Sequence, residues 1–395
     1  MIYLDYAATT PLLPEVKQAM QKAADRFYGN PSSLHTPGHL AHNELDQARQ
    51  LLAELINADP EEIIFTSGST ESNNTVINIF REKSIAASEI EHESILTPAQ
   101  KFGKPFTPVK IDINGKVCYN EDIWLQQPKL ISIIHASNEL GTIQDLAFWS
   151  QKAHKNHAFI HSDMTQSLGK VPLDVKKLGL DYATFSAHKI GGPVGISALY
   201  IKKNAPFEPF LLGGNQENRR RAGTENAILA AGFAAALKNI QDQNTPELYA
   251  KKVALLRDYL ATQILQTIPG ASLNTPIDAS HILPNILNVS FSAAEGESIQ
   301  LLLDAENIIV STGSACAAGN IKPSHVLMAK THDAEVAHSS IRFSLSPTTT
   351  QSELNQVLKS LQKIIQNLQS ISTIMYNKIY ENHNLRRRCF WPITW

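Results

Sequence analysis

The stretch EIIFTSGSTESNN, residues 62–74, decides the fold class, because an apolar β-rich run passes through Gly68 directly into the start of a helix. Four similar runs follow before residue 205, and helical patterns alternate with them; the runs are KLISIIHAS, HAFIHSD, DYATFSA and ISALYI. Such alternation is the pattern of βαβ units and predicts a mainly parallel α/β sheet. Each run ends in small or polar residues. Because ligands of parallel sheets collect at the carboxyl ends of the strands, we expect the functional site at that edge.

The chain divides into two predicted domains. Its 395 residues, 43% of them hydrophobic, are enough for a large core and a second, smaller one. A polar break precedes Thr245, a candidate N-cap, and Pro246, which suits the first position of a helix running to about Ile268. We predict a large α/β domain at residues 14–245 and a small α+β domain formed by residues 1–13 and 246–395. The end of the chain, residues 384–395 (NLRRRCFWPITW), is atypical in composition.

The small domain is indicated by three further strand-like runs, NILNVSF, NIIVST and SSIRFSLS. After them, Thr350 and Glu353 have the spacing of a capping box and predict the start of a helix. Apolar residues then recur at helical spacing, so one face of this helix is expected to be buried; they are Leu354, Val357, Leu358, Leu361, Ile364 and Ile365.

Charge and cysteine content exclude several classes of protein. A net charge of −2 and a pI near 6.7 give no basic bias toward nucleic acid or an anionic membrane, so direct binding to either is not expected. The start of the chain has no signal-peptide pattern and no segment has the length of a membrane span, which favours a cytoplasmic protein. Cys118, Cys316 and Cys389 are widely spaced and form no CxxC pair, so neither a disulfide framework nor a metal site is predicted.

Three strand ends supply residues that suit one cofactor. In DYATFSAHKIGGPVG a strand leads to Lys189, and a shielded lysine at such a position can form an imine with an aldehyde. In HAFIHSDMTQS, Asp163 and Gln166 follow another strand, and an aspartate there can pair with a protonated pyridine nitrogen. Behind Gly68, Ser69 and Thr70 offer hydroxyls and backbone N–H groups to a phosphate.

Each of these stretches also has an ordinary structural interpretation. Lys189 in a lone SxHK motif is more often a solvated lysine, Asp163 suits a helix cap, and a Ser/Thr/Gly turn before a helix is usually only a cap. Their combination is what points to a pyridoxal phosphate site, because a lysine, a ring-nitrogen carboxylate and a phosphate cup then lie at one sheet edge.

A set of eleven stretches covers nearly the whole chain, in the order YLDYAATT, YGNPSSLH, FTSGSTESNN, EHESIL, ASNELGTIQD, HSDMTQSLGK, SAHKIGGPVG, RRAGTEN, PNILNVSF, STGSAC and IRFSLSP. In these stretches the chain resembles the class V aminotransferase-like family, and within it the cysteine desulfurases of the NifS and IscS type. The resemblance implies a pyridoxal phosphate-dependent type I fold, a homodimer, and removal of sulfur from L-cysteine to give L-alanine. The sulfur would pass to protein acceptors in iron–sulfur cluster assembly or in tRNA or cofactor thiolation.

The resemblance assigns roles to the cofactor residues. Lys189 matches the lysine that carries the cofactor, Asp163 the partner of its ring nitrogen, and Gln166 the residue that bonds its phenolic oxygen. His92 matches the imidazole stacked over the ring, which also serves as an acid–base group. The matching phosphate ligands, beside Ser69, are Thr70, Ser186, His188 and, for the cofactor of the other subunit, Thr224.

The resemblance also assigns the substrate and sulfur residues. Asn138, next to the cofactor, and Arg342 match the groups that hold the substrate carboxylate; a plain solvated arginine is the alternative for Arg342. Cys316 matches the sulfur-accepting nucleophile. Its neighbours in STGSACAAGN offer little packing, and an acceptor that must enter and leave a site is better placed on a loop than in a core.

Two other functions are compatible with parts of this sequence. A selenocysteine lyase or another class V pyridoxal phosphate enzyme would share the cofactor residues, although a simple aminotransferase has no need of Cys316. A non-catalytic scaffold for sulfur transfer would be expected to have lost cofactor residues, and Lys189, Asp163, His188 and Arg342 are all present.

Overall fold

The computed structural model describes residues 1–26, 28–242, 245–277, 281–312 and 323–372. The strands, in chain order, are β1 (Ile2–Tyr3), β2 (Ile63–Thr66), β3 (Ile85–Ser88), β4 (Phe106–Val109), β5 (Leu130–Ser132), β6 (Phe159–Asp163), β7 (Tyr182–Ser186), β8 (Ser197–Ile201), β9 (Ala271–Leu273), β10 (Ile286–Phe291), β11 (Ile308–Ile309) and β12 (Ser340–Ser344).

The helices alternate with the strands over most of the chain. They are α1 (Pro14–Arg26), α2 (Thr36–Ile56), α3 (Ser69–Ile79), α4 (Glu93–Phe102), α5 (Leu146–Lys155), α6 (Val175–Leu178), α7 (Gln216–Arg219), α8 (Ala227–Asp242), α9 (Pro246–Thr267), α10 (Gly296–Ala305), α11 (His325–Thr331), α12 (Ala334–His338) and α13 (Gln351–Ile371). Short 3₁₀ turns lie at Pro60–Glu62, Glu121–Gln126 and Ala187–Lys189.

A seven-stranded sheet in the order β2-β8-β7-β6-β5-β3-β4 forms the centre of the fold. Strands β4, β3, β5, β6 and β7 pair in parallel, whereas β8 runs antiparallel to both of its neighbours, β7 and β2. Strands β3, β5 and β7 are buried at every position, as expected for a parallel sheet covered on both faces. The predicted α/β class with a mainly parallel sheet is therefore confirmed, with β8 as the reversed strand.

A smaller sheet has three antiparallel strands in the order β12-β10-β9, and a hydrophobic cluster separate from that of the large sheet lies around it. Leu287, Val289 and Phe343 from that sheet pack with Leu4 from the start of the chain and with apolar residues of α9 and α13. The cluster around the large sheet is formed by residues between Leu45 and Leu237. The domain limits, residues 14–245 and residues 1–13 with 246–395, stay a prediction.

Both helix starts that the sequence predicts are present. Thr245 caps α9 by accepting a hydrogen bond from the Leu248 amide, and Pro246 is the first helical residue. Thr350 and Glu353 form the expected capping box at the start of α13. The buried residues of α13 are the six apolar positions of the predicted face.

Among the described residues, no helix combines the length and the apolarity that crossing a membrane requires.

Candidate active site

A pocket of about 390 Å³ lies at the carboxyl edge of the large sheet. Segments that follow β2, β3, β5, β6 and β7 line it, together with Ala7, Ala8 and Arg342 from the other side. The pocket brings together ten of the residues predicted from the sequence: Ser69, Thr70, His92, Asn138, Asp163, Gln166, Ser186, His188, Lys189 and Arg342. Their placement follows from the parallel topology, because the ends of these strands meet at one edge of the sheet.

Lys189 ends the short turn that follows β7. Its Nζ donates hydrogen bonds to the backbone carbonyls of Ala7 at 2.7 Å and of Ala8 at 2.5 Å. Hydrogen bonds from Thr10, through its amide and its hydroxyl, to the His188 carbonyl fasten the same N-terminal segment to the turn. The lysine is thus held at the pocket wall by residues more than 170 positions away in the chain.

Asp163 is 5% exposed at the end of β6. One carboxylate oxygen accepts from the Asn73 side-chain amide at 2.8 Å, and the other accepts from the Thr165 backbone amide at 2.9 Å. These two hydrogen bonds fix the orientation of the carboxylate, which lines the pocket.

His92 is the N-cap of α4 and lines the pocket. Its Nδ1 accepts a hydrogen bond from the Ser94 backbone amide at 3.1 Å, so the proton of the neutral ring is on Nε2. The Ser94 hydroxyl lies 2.8 Å from Nδ1 and also accepts from Asn73 at 2.9 Å. Asn73 thereby connects the imidazole to Asp163.

The start of α3 contains Ser69 and Thr70, the residues predicted to bind a phosphate. Its N-cap is Gly68, which makes no side-chain cap, and the Ser69 hydroxyl lies 2.9 Å from the Thr165 hydroxyl. Helix N-termini favour anions through their backbone N–H groups and the helix dipole. Across the pocket, His188 places Nδ1 at 3.1 Å from the Thr9 hydroxyl, and burial, followed by the charges of Lys189 and Lys170, lowers the pKa of His188 to about 4.

Arg342 lies on β12 and is 3% exposed, so the solvated arginine considered above is excluded. Its guanidinium donates to the Asp5 carboxylate at 2.8 Å and to the Asn138 backbone carbonyl at 3.1 Å. Its Nε is buried and has no hydrogen-bond partner among the described residues. The backbone of Arg342 also pairs with Ser311, in the segment that leads toward residue 313.

Thr224, a further predicted residue, is exposed in the segment between α7 and α8 and does not line the pocket. Cys316 lies outside the described residues, as does the tail at residues 384–395.

Several residues at the site were not singled out from the sequence. Asn73 and Thr165 orient Asp163, the Ala7 and Ala8 carbonyls hold Lys189, and Asp5 pairs with Arg342. All of them fall within stretches that carry the resemblance, YLDYAATT, FTSGSTESNN and HSDMTQSLGK. Those stretches were the available signal, but which side chain or carbonyl makes contact depends on the folded chain.

Sheet order and pocket together define the α/β architecture of the type I transferase fold. Residues 2–357 match the model of the family described as "Aminotransferase class-V". The chain is 41% identical to a cysteine desulfurase IscS of Dictyoglomus turgidum over 94% of this chain and 96% of that protein. It thus belongs to the class-V aminotransferase family and, within it, to the cysteine desulfurases.

Solved structures are similar over most of the chain. A NifS-like protein from Rickettsia africae matches with a TM-score of 0.84 and 32% identity, covering 93% of this chain and 99% of that one. A structure described as SspA in complex with cysteine matches with a TM-score of 0.74 and 29% identity, covering 89% and 100%.

Proposed function

We propose that the protein is a pyridoxal phosphate-dependent cysteine desulfurase that converts L-cysteine to L-alanine and a persulfide on Cys316. The observation that carries the proposal is the convergence of Lys189, Asp163 and the start of α3 in one pocket that also contains Arg342. Membership of the cysteine desulfurases supports the same reaction.

The residues of the pocket fit pyridoxal phosphate. The Gly68 cap leaves the start of α3 to a phosphate, with hydroxyls of Ser69, Thr70 and Ser186 nearby. Asp163 would pair with the ring nitrogen, and Gln166, whose Nε2 donates to the Ala7 carbonyl at 2.9 Å, would use its other N–H on the phenolic oxygen. When bound at Lys189, the cofactor supplies an electron sink for charge that develops at the substrate Cα.

Two side chains are placed to move protons. Lys189 would take the proton from the substrate Cα, since its Nζ is held at the pocket wall. His92, with its proton on Nε2, would transfer a proton to or from the sulfur-bearing end of the substrate. Positioned groups of this kind typically contribute on the order of 10²–10⁴ in rate.

Arg342 and Asn138 would hold the substrate carboxylate. The buried, unpartnered Nε of Arg342 is a donor that a carboxylate can satisfy, and charge-assisted hydrogen bonds to a guanidinium are strong. Holding the carboxylate there would orient Cα toward Lys189 in the same pocket.

Cys316 would accept the sulfur. Thr312, four residues before it, follows Ser311, which pairs with the backbone of Arg342, so the segment that leads to the cysteine starts beside the proposed substrate residue. In the sulfur step the Cys316 thiolate attacks the substrate sulfur. The Cβ–S bond breaks, an S–S bond forms, and the electron pair left on carbon takes a proton, giving alanine and a persulfide with no external oxidant.

The proposal extends to the oligomeric state, the cellular location and the sulfur acceptors. We infer a cytoplasmic homodimer in which Thr224 reaches the cofactor phosphate of the second copy, because the residue is exposed and lies outside its own pocket. The sulfur would be passed to protein acceptors for iron–sulfur cluster assembly or thiolation.

The test is incubation of the cofactor-loaded protein with L-cysteine, followed by measurement of alanine and of protein-bound persulfide. Wild type should form both, Cys316→Ser should keep the visible absorption of the cofactor but form no persulfide, and Cys118→Ser should behave as wild type. Cofactor-loaded wild type that releases no alanine would refute the desulfurase function. L-selenocysteine in a parallel reaction distinguishes a selenocysteine lyase.

A further inference from the structure

A second lysine, Lys170, is buried behind the active site. It is 3% exposed, and lysines are almost never buried so completely unless they are paired. Its Nζ donates to the backbone carbonyl of Gln166 at 2.9 Å and to the side-chain Oε1 of Gln166 at 3.3 Å. Lys170 does not line the cofactor pocket, and the roles considered above leave it without a function.

The contact between Lys170 and Gln166 determines which way the glutamine amide faces. A lysine amine bound to two oxygens acts as a donor, so the Gln166 oxygen must point toward Lys170 and the NH₂ group away from it. The NH₂ group accordingly donates to the Ala7 carbonyl at 2.9 Å. That carbonyl also accepts from Lys189 at 2.7 Å, which joins the two lysines through a chain of hydrogen bonds.

The two amines also interact through their charges. Burial first, and then the charge of Lys189, lower the pKa of Lys170 to about 7. Coulombic coupling between two sites is mutual, so a charge on Lys170 disfavours a charge on Lys189. Other titratable or charged groups face Lys170 across the cavities beside it: Tyr6, Tyr249, Glu247 and Arg257, while His188 is close enough to respond to its charge.

We propose that Lys170 is a positioning residue of the cofactor site, which fixes the Gln166 amide with its N–H groups toward the pocket and places a positive charge near Lys189. The proposal rests on the proposed function, because the group that Gln166 would contact is the phenolic oxygen of pyridoxal phosphate. Without Lys170 the amide loses one of the two contacts that orient it and keeps the Ala7 carbonyl, so it should more often turn over and present its oxygen to that phenolic oxygen, which is a repulsive contact.

The test compares Lys170→Met with Lys116→Met. Methionine keeps the length of the lysine stem but has no donor and no charge. Lys116 is the matched control, because it is a half-buried lysine that donates to the backbone carbonyls of Ile143 and His281 and does not line the pocket. Two properties are measured for each protein: the affinity of the apoprotein for pyridoxal phosphate, and the pH midpoint of the visible absorption of the loaded protein.

Lys170→Met should bind the cofactor about tenfold more weakly. This is the effect expected when roughly one hydrogen bond to a charged group is lost. Its absorption midpoint should rise, because the charge that opposes protonation at Lys189 is gone. Lys116→Met should change neither property. Lys170→Arg, which also only donates, should keep the affinity within about threefold of wild type.

Folding of the variant is checked on the apoprotein. Because the pKa of Lys170 in the folded chain, about 7, is below its ordinary value near 10.4, the folded state binds fewer protons between these values. The free energy of unfolding of wild type should therefore rise with pH across that window, and Lys170→Met should lose this rise while remaining folded.

The outcomes separate this proposal from the proposed function. Unchanged affinity and an unchanged midpoint in Lys170→Met would overturn the role of Lys170, whatever the reaction proves to be. Wild type that binds pyridoxal phosphate but forms no alanine from L-cysteine would refute the desulfurase and leave the comparison of the lysine variants readable. Wild type that binds no pyridoxal phosphate would overturn both.

Discussion

The buried Arg342 and the half-buried Asp5 form an ion pair, with 2.8 Å between the guanidinium and the carboxylate, that joins β12 to the N-terminal segment. Two and three residues further on, Ala7 and Ala8 hold the amine of Lys189. The proposed substrate-binding arginine and the proposed cofactor lysine are therefore positioned by one short stretch, residues 5–8. This stretch couples the small antiparallel sheet to the carboxyl edge of the large one.

Replacing Asp5 by Asn should destabilise the apoprotein strongly. The change leaves a buried guanidinium without its carboxylate partner, which typically costs about 3–5 kcal/mol. The control is Asp59→Asn, which removes an exposed pair between Asp59 and Lys176 and should cost less than about 1 kcal/mol. Chemical unfolding of both variants measures the difference.

The same variant also tests whether Arg342 binds a carboxylate ligand. L-Alanine, the proposed product, should restore more stability to Asp5→Asn than it adds to wild type, because its carboxylate can pair with the guanidinium that has lost its carboxylate partner. An equal effect of L-alanine on the two proteins would argue against Arg342 as the carboxylate site.

Asn73→Ala should weaken cofactor binding by about 10–100-fold, the range expected for losing a hydrogen bond to a charged group. Asn73 orients Asp163 directly and reaches His92 through Ser94. Asn74→Ala is the control, since that amide donates to the backbone carbonyls of Thr70 and Ser94 and makes no side-chain hydrogen bond to Asp163. Titration of the apoproteins with pyridoxal phosphate checks the prediction, and equal affinity in the two variants would contradict it.

Features that depend on local pattern could be predicted from the sequence. Thr245 and Thr350 cap their helices as expected, since a cap depends on residues within one turn. The residues at strand ends, such as Asp163 and Lys189, also meet as expected, because parallel topology alone brings those ends together.

Features that depend on distant contacts could not be predicted in this way. Asp5 meets Arg342 across 337 positions, and nothing local in YLDYAATT indicates that pairing. The burial of Lys170 likewise depends on what packs over it, because a lysine in SLGK has the same local sequence whether it is solvated or enclosed. Strands β3 and β4 were missed because IAAS and FTPV are short and weakly apolar.

His135→Gln should make the protein less sensitive to acid. His135 is buried, and burial, followed by the charge of Lys116, lowers its pKa to about 4. Between pH 4 and the ordinary value near 6.5, the unfolded chain binds a proton that the folded chain does not, so stability falls as pH falls through this window. The contribution is about 3 kcal/mol at most. The variant should lose less free energy of unfolding between pH 6.5 and 4.5 than wild type.

The control for this acid effect is His39→Gln, at an exposed position on α2. It should follow wild type across the same pH range. A slope in His135→Gln equal to that of wild type would show that the buried imidazole is not a source of the acid sensitivity.

Glu91→Gln should stabilise the protein at alkaline pH. Glu91 is fully buried beside His92; burial is the main cause that raises its pKa to about 8, the charge of Asp163 raises it further, and the hydrogen bond from Ser88 opposes the shift. Because the pKa of Glu91 is raised in the folded state, its contribution to the free energy of unfolding is fully present below the pKa of the unfolded chain, near 4.3. This contribution is lost as pH rises through about 8. Glutamine is neutral at every pH and keeps an oxygen for the Ser88 hydroxyl. Its Tm should match wild type within about 2 °C at pH 5 and exceed it by several degrees at pH 8.5.

Glu93→Gln, at the exposed neighbouring position, is the control and should show no such divergence from wild type. A wild-type pH profile in Glu91→Gln would mean that the buried acid does not titrate in this range.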